Sequence, residues 1–325
     1  MSKTDAAAQG YASLSGASMG TTWSVKFRDP GLDRHRLHGQ VQTALDEIVA
    51  RMSTWDPESA ISRLNRAEPG WYQIAPAFFD VMAQALELAA ATQGAYDPTL
   101  GALVDLWGFG PPGPVHAPPS QAAIDAAWAR SGWRRTELNT EYRGVWQPGG
   151  LHFDLSSIAK GYGVDEMARV LADAGVRHCL VELGGELKAF GLNPAGGAWE
   201  VEVESPGLGP DRLPVRLKDA AIATSGHYRR YFTHQSRRYA HTLDPHTGAP
   251  LPDDLVSVTV IHPQCMMADG LATALLALGP RKGPHHARQN GLAALFMTRH
   301  DNDFAVEWTD PFADLAGAHT ASSCL

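Results

Sequence analysis

Cysteine is scarce in this 325-residue chain, which holds Cys179, Cys265 and Cys324 and no others. An odd, scattered set with no C-x-x-C pair offers no disulfide framework, no zinc knuckle and no dithiol redox motif. Each reads instead as a small hydrophobe. Positive charge is also in deficit: 27 Lys and Arg stand against 35 Asp and Glu, for a net charge of -8. With no basic stripe, a nucleic-acid face and a cationic membrane-surface helix are both excluded. Long apolar runs are missing, since nothing approaches the ~18 residues of a membrane span. The first fifteen residues lack the basic start and apolar run of a secretory signal. The chain therefore reads as soluble, cytoplasmic as it stands and periplasmic or cell-envelope if a leader has been removed. What remains is ordinary globular composition, 44% hydrophobic, enough to bury a sizeable core.

The pattern along the chain interleaves strands and helices. Thr21 to Phe27 alternates as a strand. Leu37 to Met52 and Pro76 to Thr92 carry apolar residues at helical spacing, the second closed by Gly94. Gly110 to Ser120 is a Pro/Gly-rich loop, and Ile124 to Ser131 a short helix. Three strand-like stretches fall between residues 136 and 155, followed by a helix over Ile158 to Ala174. Cys179–Glu182, Trp199–Glu204, Ala221–Thr224 and Leu255–Ile261 read as strands, and Met267–Leu278 as a helix capped by Gly279. The rhythm is not βαβ, so the expected class is α+β. The expected organisation is a flexible leader over 1–15, one domain over 16–315 and a flexible tail over 316–325.

Five segments carry candidate chemistry. Tyr96-Asp97-Pro98-Thr99 is by itself a turn whose glycine-rich continuation fixes the backbone. Asp154-Leu155-Ser156-Ser157-Ile158-Ala159-Lys160-Gly161-Tyr162-Gly163-Val164-Asp165 runs from a strand end into a helix. It reads equally as a helix cap by Asp154 or Ser156 and as a phosphate site at a helix N-terminus with Lys160 as a point charge. In Leu180 to Leu187 a buried strand meets the pair Gly184-Gly185, for which close packing is the simpler explanation. Tyr239-Ala240-His241-Thr242-Leu243-Asp244-Pro245 sets a histidine, the natural base near neutral pH, three residues before an aspartate in a turn. Asp269 and Thr273 share one helix face, where they could hold a hard cation; an N-cap and a back-bonded threonine explain them as well.

In this order, and together with Met19-Gly20-Thr21, Met52-Ser53-Thr54-Trp55-Asp56-Pro57 and Ala223-Thr224-Ser225-Gly226, these segments resemble the ApbE family, the FAD:protein FMN transferases. The resemblance implies an α+β, T-fold-related architecture of mixed sheets and packed helices around a flavin cleft. It implies FAD as substrate, contacted by Met19, Trp55, Ala95, Tyr96, Asp97, Asp154, Lys160, Ser225 and Leu243. It implies Mg²⁺ held by the Ser157 carbonyl and the side chains of Asp269 and Thr273. It implies a catalytic role for His241, with Asp244 orienting it. The implied reaction moves FMN from FAD to a Thr or Ser hydroxyl of an acceptor protein and releases AMP. The implied acceptor is a subunit of a membrane redox complex or a related domain bearing a flavinylation motif. An FAD pyrophosphatase, a non-catalytic FAD carrier and a decayed member of a redox assembly are the alternatives. Two residues depart from the family pattern: Ala60 stands where an acidic residue is usual, and Gly270 where alanine is usual beside Asp269.

Overall fold

The computed structural model describes residues 10–203, 213–228, 230–300 and 303–316. Its centre is an eight-stranded sheet with strands in the order β1(Tyr11–Ser18), β2(Thr21–Arg28), β6(Cys179–Leu183), β7(Glu186–Phe190), β10(Ala220–Gly226), β13(Leu255–His262), β14(Ala293–His300) and β15(Asp303–Trp308). Every ladder in it is antiparallel. The alternation read in β2 is borne out: Trp23, Val25 and Phe27 are buried while Thr22, Ser24 and Lys26 face solvent. Central β13 is buried along nearly its whole length, because both of its faces are covered.

One face carries the large core. Here α1(Arg34–Met52), α6(Ala159–Asp173) and α7(Cys265–Gln289) cover the sheet, and α3(Pro76–Ala91) packs on α1 and α7. The apolar stripe of α1 (Leu37, Val41, Leu45, Ile48, Met52) is the one the spacing predicts. The other face is closed by the hairpin β8(Trp199–Val203)–β9(Leu213–Leu217) and by α8(Asp310–Ala316), through Trp199, Val215, Ile222, Leu295 and Phe312. A third cluster gathers Leu100, Leu103, Trp107, Ile124 and Leu243 between α4(Gly101–Leu106), α5(Gln121–Trp128) and the segment after His241. Smaller elements complete the frame: α2(Ala60–Asn65), the sheet β3(Gly70–Gln73)–β5(Gly144–Gln147)–β4(Leu138–Asn139), and the hairpin β11(Tyr231–His234)–β12(Arg237–Ala240). No helix among the described residues is long and apolar enough to cross a membrane.

Several expectations are corrected. The leader expected through residue 15 gives way to β1, which starts at Tyr11 and pairs with β2 from Tyr11↔Arg28 to Ser18↔Thr21; residues 1–9 lie outside the described residues. Its small side chains hide the strand, whose pairing comes from β2. Ala316, assigned to the tail, ends α8, and residues 317–325 lie outside the described residues. Of three expected strands at 136–155, two form, and the third is an isolated bridge between Leu100 and His152. The short helix starts at Gln121 rather than Ile124, because the Ser120 hydroxyl caps it by accepting from Ala123 N–H.

Helix ends follow the same local chemistry. At the end of α3, Gln93 (φ 55°) rather than Gly94 takes the first left-handed position. The Gly94 amide donates to Ala89 O and the Gln93 amide to Ala90 O, the paired bonds of a Schellman end. Gly279 does interrupt α7, at φ 77° and ψ -179°, but the helix resumes through Pro280 to Gln289. That second half is hidden in the sequence by Pro280 and Pro284; Pro280 takes the first helical position, where proline is tolerated, while Pro284 lies past the first turn and gives up one helix bond.

Two tight turns set the tips of the sheet. Ser18 and Thr21 are joined by Met19 (φ 49°) and Gly20 (φ 71°), both left-handed, as a two-residue hairpin that follows strand twist requires. Leu183 and Glu186 are joined in the same way by Gly184 (φ 65°) and Gly185 (φ 107°). The two tips touch, for a Cβ on Gly184 would lie 2.8 Å from Thr21 Cγ2.

Candidate active site

The hairpin tips, the start of α6, the end of β10 and the Asp269–Thr273 face of α7 surround one cleft of about 1190 Å³. Of the fourteen residues expected at the site, thirteen line it: Met19, Trp55, Ala95, Tyr96, Asp97, Asp154, Ser157, Lys160, Ser225, His241, Leu243, Asp269 and Thr273.

Each is placed by a local reason. Met19 sits in the hairpin turn with a left-handed backbone, uncommon for a residue with a side chain, and its side chain packs on the core beside Gly163. Trp55 stands 58% exposed in the loop after α1. That loop is tied down from below, where the buried Ser59 hydroxyl donates to Ser53 O at 2.7 Å and accepts from Ser62 N–H. Arg63 and Arg66 donate to the carbonyls of Glu58 and Pro57. None of these bonds uses the side chain at position 60, so the loop is held without an acid there.

The strand leading to Asp154 is clamped by buried Asn65, which donates to Phe153 O at 2.9 Å and accepts from Phe153 N–H at 2.8 Å. Asp154 then accepts from Ser156 N–H at 2.8 Å. Neither Asp154 nor Ser156 caps α6, whose N-cap residue is Ile158 and whose first turn has no side-chain cap. The Ser157 hydroxyl donates to Tyr96 Oη at 3.0 Å. Asp97 lines the cleft with its carboxylate already engaged: it accepts from Thr99 N–H and Oγ1, at 2.8 and 2.6 Å, and from Trp133 N–H at 3.2 Å. It therefore holds the turn read in the sequence.

The electrostatic centre is formed by Asp269, Lys160 and Glu186. Asp269 is buried, and its Oδ2 accepts from Gly161 N–H at 3.0 Å. Lys160 pairs with buried Glu186, so its ammonium is not a free point charge. Two carboxylates thus share one cation. Burial pushes Asp269 up to about 7, with the Lys160 charge opposing and Glu186 adding to the rise. Burial also works against the Lys160 ammonium, but Asp269 and Glu186 outweigh it and hold its pKa above the usual lysine value. Beside them, Ser225 Oγ and Thr273 Oγ1 lie 2.8 Å apart and bind β10 to α7.

His241 has a different setting. Its Nδ1 is 3.2 Å from Arg230 O. A carbonyl only accepts, so Nδ1 carries the proton and the lone pair sits on Nε2. Burial, then the charge of Arg230, lowers its pKa to about 4, which keeps the ring neutral at physiological pH. Asp244, expected to orient this ring, does not line the cleft. Its carboxylate accepts from His246 N–H, and its carbonyl accepts from Thr247 and Gly248 N–H, closing the turn after Leu243. The orienting acceptor is Arg230 O.

Glu186, Tyr228 and Arg230 also line the cleft and were not singled out in the sequence. Glu186 had a signal, a carboxylate at the first position after a glycine hairpin turn. Arg230 orients His241 through its backbone carbonyl, a group that gives no signal in the sequence.

For a hard cation the fit is favourable. Oxygen donors are what such a cation takes, and Asp269, Thr273 and the Ser157 carbonyl are all oxygen donors on one cleft. A divalent ion would also offset the excess negative charge of the Asp269–Glu186 pair. Among the described residues no group of three or more His, Cys, Asp or Glu gathers into a protein-only metal cage.

The chain is similar to known proteins over nearly its whole length. The model of the ApbE family covers residues 19–296. The FAD:protein FMN transferase of Haemophilus influenzae is 38% identical over 316 residues, spanning 93% of this chain and 91% of its own. That of Escherichia coli strain K12 is 36% identical, spanning 92% and 87%. Among solved structures, Pseudomonas stutzeri flavinyl transferase ApbE in its apo form superposes with a TM-score of 0.88 at 36% identity, over 95% of this chain and 98% of that one. The Thermotoga maritima ApbE protein gives a TM-score of 0.84 at 27% identity, over 94% and 99%.

Proposed function

The chain belongs to the ApbE family, a family of transferases, and we propose that it moves FMN from FAD to a threonine or serine hydroxyl of an acceptor protein, releasing AMP. The observation that carries this reading is His241: a neutral imidazole, its Nδ1–H engaged by Arg230 O and its Nε2 lone pair available, on the same cleft lining as Asp269 and Thr273.

In this reading FAD lies along the cleft with Trp55, Met19 and Tyr96 toward the flavin. Asp269, Thr273 and the Ser157 carbonyl would hold Mg²⁺, which when bound supplies positive charge to the diphosphate. His241 Nε2 accepts the proton of the acceptor hydroxyl. The freed oxygen bonds to the FMN-side phosphorus, the bond from that phosphorus to the bridging oxygen breaks, and AMP leaves with the electron pair. The product is an FMN phosphoester on the acceptor, and the proton on His241 passes to solvent. A hydroxyl is a poor nucleophile at neutral pH, so a positioned base is worth on the order of 10²–10⁴-fold. The anionic diphosphate beside the ring raises the His241 pKa from its low value toward the working range.

Product analysis separates this reading from hydrolysis at the same site. Transfer yields AMP without free FMN, in step with loss of FAD and only when acceptor is present. Equal release of AMP and free FMN, indifferent to acceptor, would establish a pyrophosphatase instead.

A further inference from the structure

Helix α7 carries Asp269 and Thr273, yet its own sequence does not anchor its start. Its N-cap residue, Gln264, makes no side-chain cap bond, and its first turn holds no acid. The first amides are taken from a distance by Asp165 of α6: Oδ1 accepts from Cys265 N–H at 3.0 Å and Oδ2 from Met266 N–H at 2.9 Å. Asp165 is itself fixed by Lys188 of β7, whose ammonium is 2.5 Å from Oδ1. One turn earlier on α6 the traffic reverses, with Gly161 N–H donating to Asp269 Oδ2. The helices are close enough there that a Cβ on Gly161 would lie 2.3 Å from Cys265 O and 2.8 Å from Asp269 Cβ.

We propose that Asp165 is a positioning residue for the candidate cation site: by capping α7 from α6 it fixes the rotation and depth of α7, and so where the Asp269 carboxylate sits beside Lys160. A carboxylate at a helix start satisfies orphan amides and opposes the helix dipole. Here the carboxylate comes from the neighbouring helix, so the same bonds also set the spacing between the two helices. Lys188 lies two residues after Glu186 on β7, so one strand supplies both the partner of Asp165 and the partner of Lys160. The inference rests on the cation reading above and adds to it the device that places the ligand.

The test compares wild type, Asp165→Ala, Asp165→Asn and Leu171→Ala, a core truncation in the same helix that serves as a stability control. Mg²⁺ is titrated calorimetrically into the FAD-loaded full chain without acceptor, FAD affinity is measured without Mg²⁺, and hydrogen exchange is followed at the Gly161 amide. Asp165→Ala should weaken Mg²⁺ by about 10–100-fold, the range seen when a residue that orients a metal ligand is removed. It should also speed Gly161 exchange while leaving metal-free FAD affinity unchanged. Asp165→Asn, which keeps an acceptor oxygen, should fall between. Wild-type Mg²⁺ affinity in folded Asp165→Ala would overturn the proposal, as would an equal loss in Leu171→Ala at matched stability. Should wild type bind no Mg²⁺, the cation reading fails; Gly161 exchange then decides this proposal, and an unchanged rate overturns it.

Discussion

At the scale of single residues the cleft combines a base kept neutral with an acid kept partly protonated. Replacing His241 with alanine should lower transfer by on the order of 10²–10⁴-fold. FAD affinity should hardly change, because the ring's one hydrogen bond goes to Arg230 O; a variant with wild-type turnover would remove His241 from the chemistry. Asp269 makes a prediction with a definite sign. Its folded pKa of about 7 lies above the ordinary 3.8, so the folded chain keeps a proton that the unfolded chain releases. Stability of the metal-free protein should therefore fall as pH rises from about 4 to 7, and the loss should be complete above that. Melting temperatures between pH 5 and 8 should show a steeper decline in wild type than in Asp269→Asn; parallel curves would contradict the assignment. Mg²⁺ affinity should move the opposite way, rising with pH as the carboxylate ionises. Trp55, already 58% exposed, has little to lose in the fold. Trp55→Ala should leave the melting temperature in place while weakening FAD binding by about 1–3 kcal/mol, the worth of stacking on an aromatic ring.

Among the elements, α7 and its break are the most sensitive parts. Gly279 has φ 77° and ψ -179°, a region open essentially to glycine, so Gly279→Ala should cost on the order of 1–3 kcal/mol in urea unfolding. A smaller loss would mean that the break can straighten. The same helix shows where sequence reading works and where it stops. Periodic helices such as α1 and α6 were legible because their buried stripes repeat at helical spacing. The second half of α7 was not, since Pro280 and Pro284 spoil the local pattern while tertiary packing retains the helix. β1 was hidden because Ala12, Ser13, Ser15, Gly16 and Ala17 carry weak strand preference, and its register comes from β2. Strands β14 and β15 and the hairpin β11–β12 were likewise passed over. Among the described residues β11 and β12 pair only with each other, across a turn of Gln235 and Ser236 that has no glycine to mark it, and β15 pairs with the adjacent β14.

Over the whole molecule, the α+β class and the gathering of site residues were legible because short motifs, each ambiguous alone, occur in one order along the chain. Met19, Trp55, Tyr96, Lys160, His241 and Asp269 come from widely separated segments and meet on one cleft. What the order could not give was pairing at atomic scale: that Glu186 engages Lys160, that Arg230 rather than Asp244 meets His241, and that Asp165 caps α7. The last two depend on a backbone carbonyl and backbone amides, which every residue has, and the first on two side chains brought together by the fold. The acidic surface, with a net charge of -8, fits a protein or small-molecule substrate better than a polyanion. The most direct test of the central claim is the intact mass of a candidate acceptor domain after incubation with this protein, FAD and Mg²⁺. The account predicts a gain of one FMN per acceptor, absent when the metal is chelated and absent when the target hydroxyl residue is replaced by alanine. An acceptor of unchanged mass while FAD is still consumed to free FMN and AMP would contradict it.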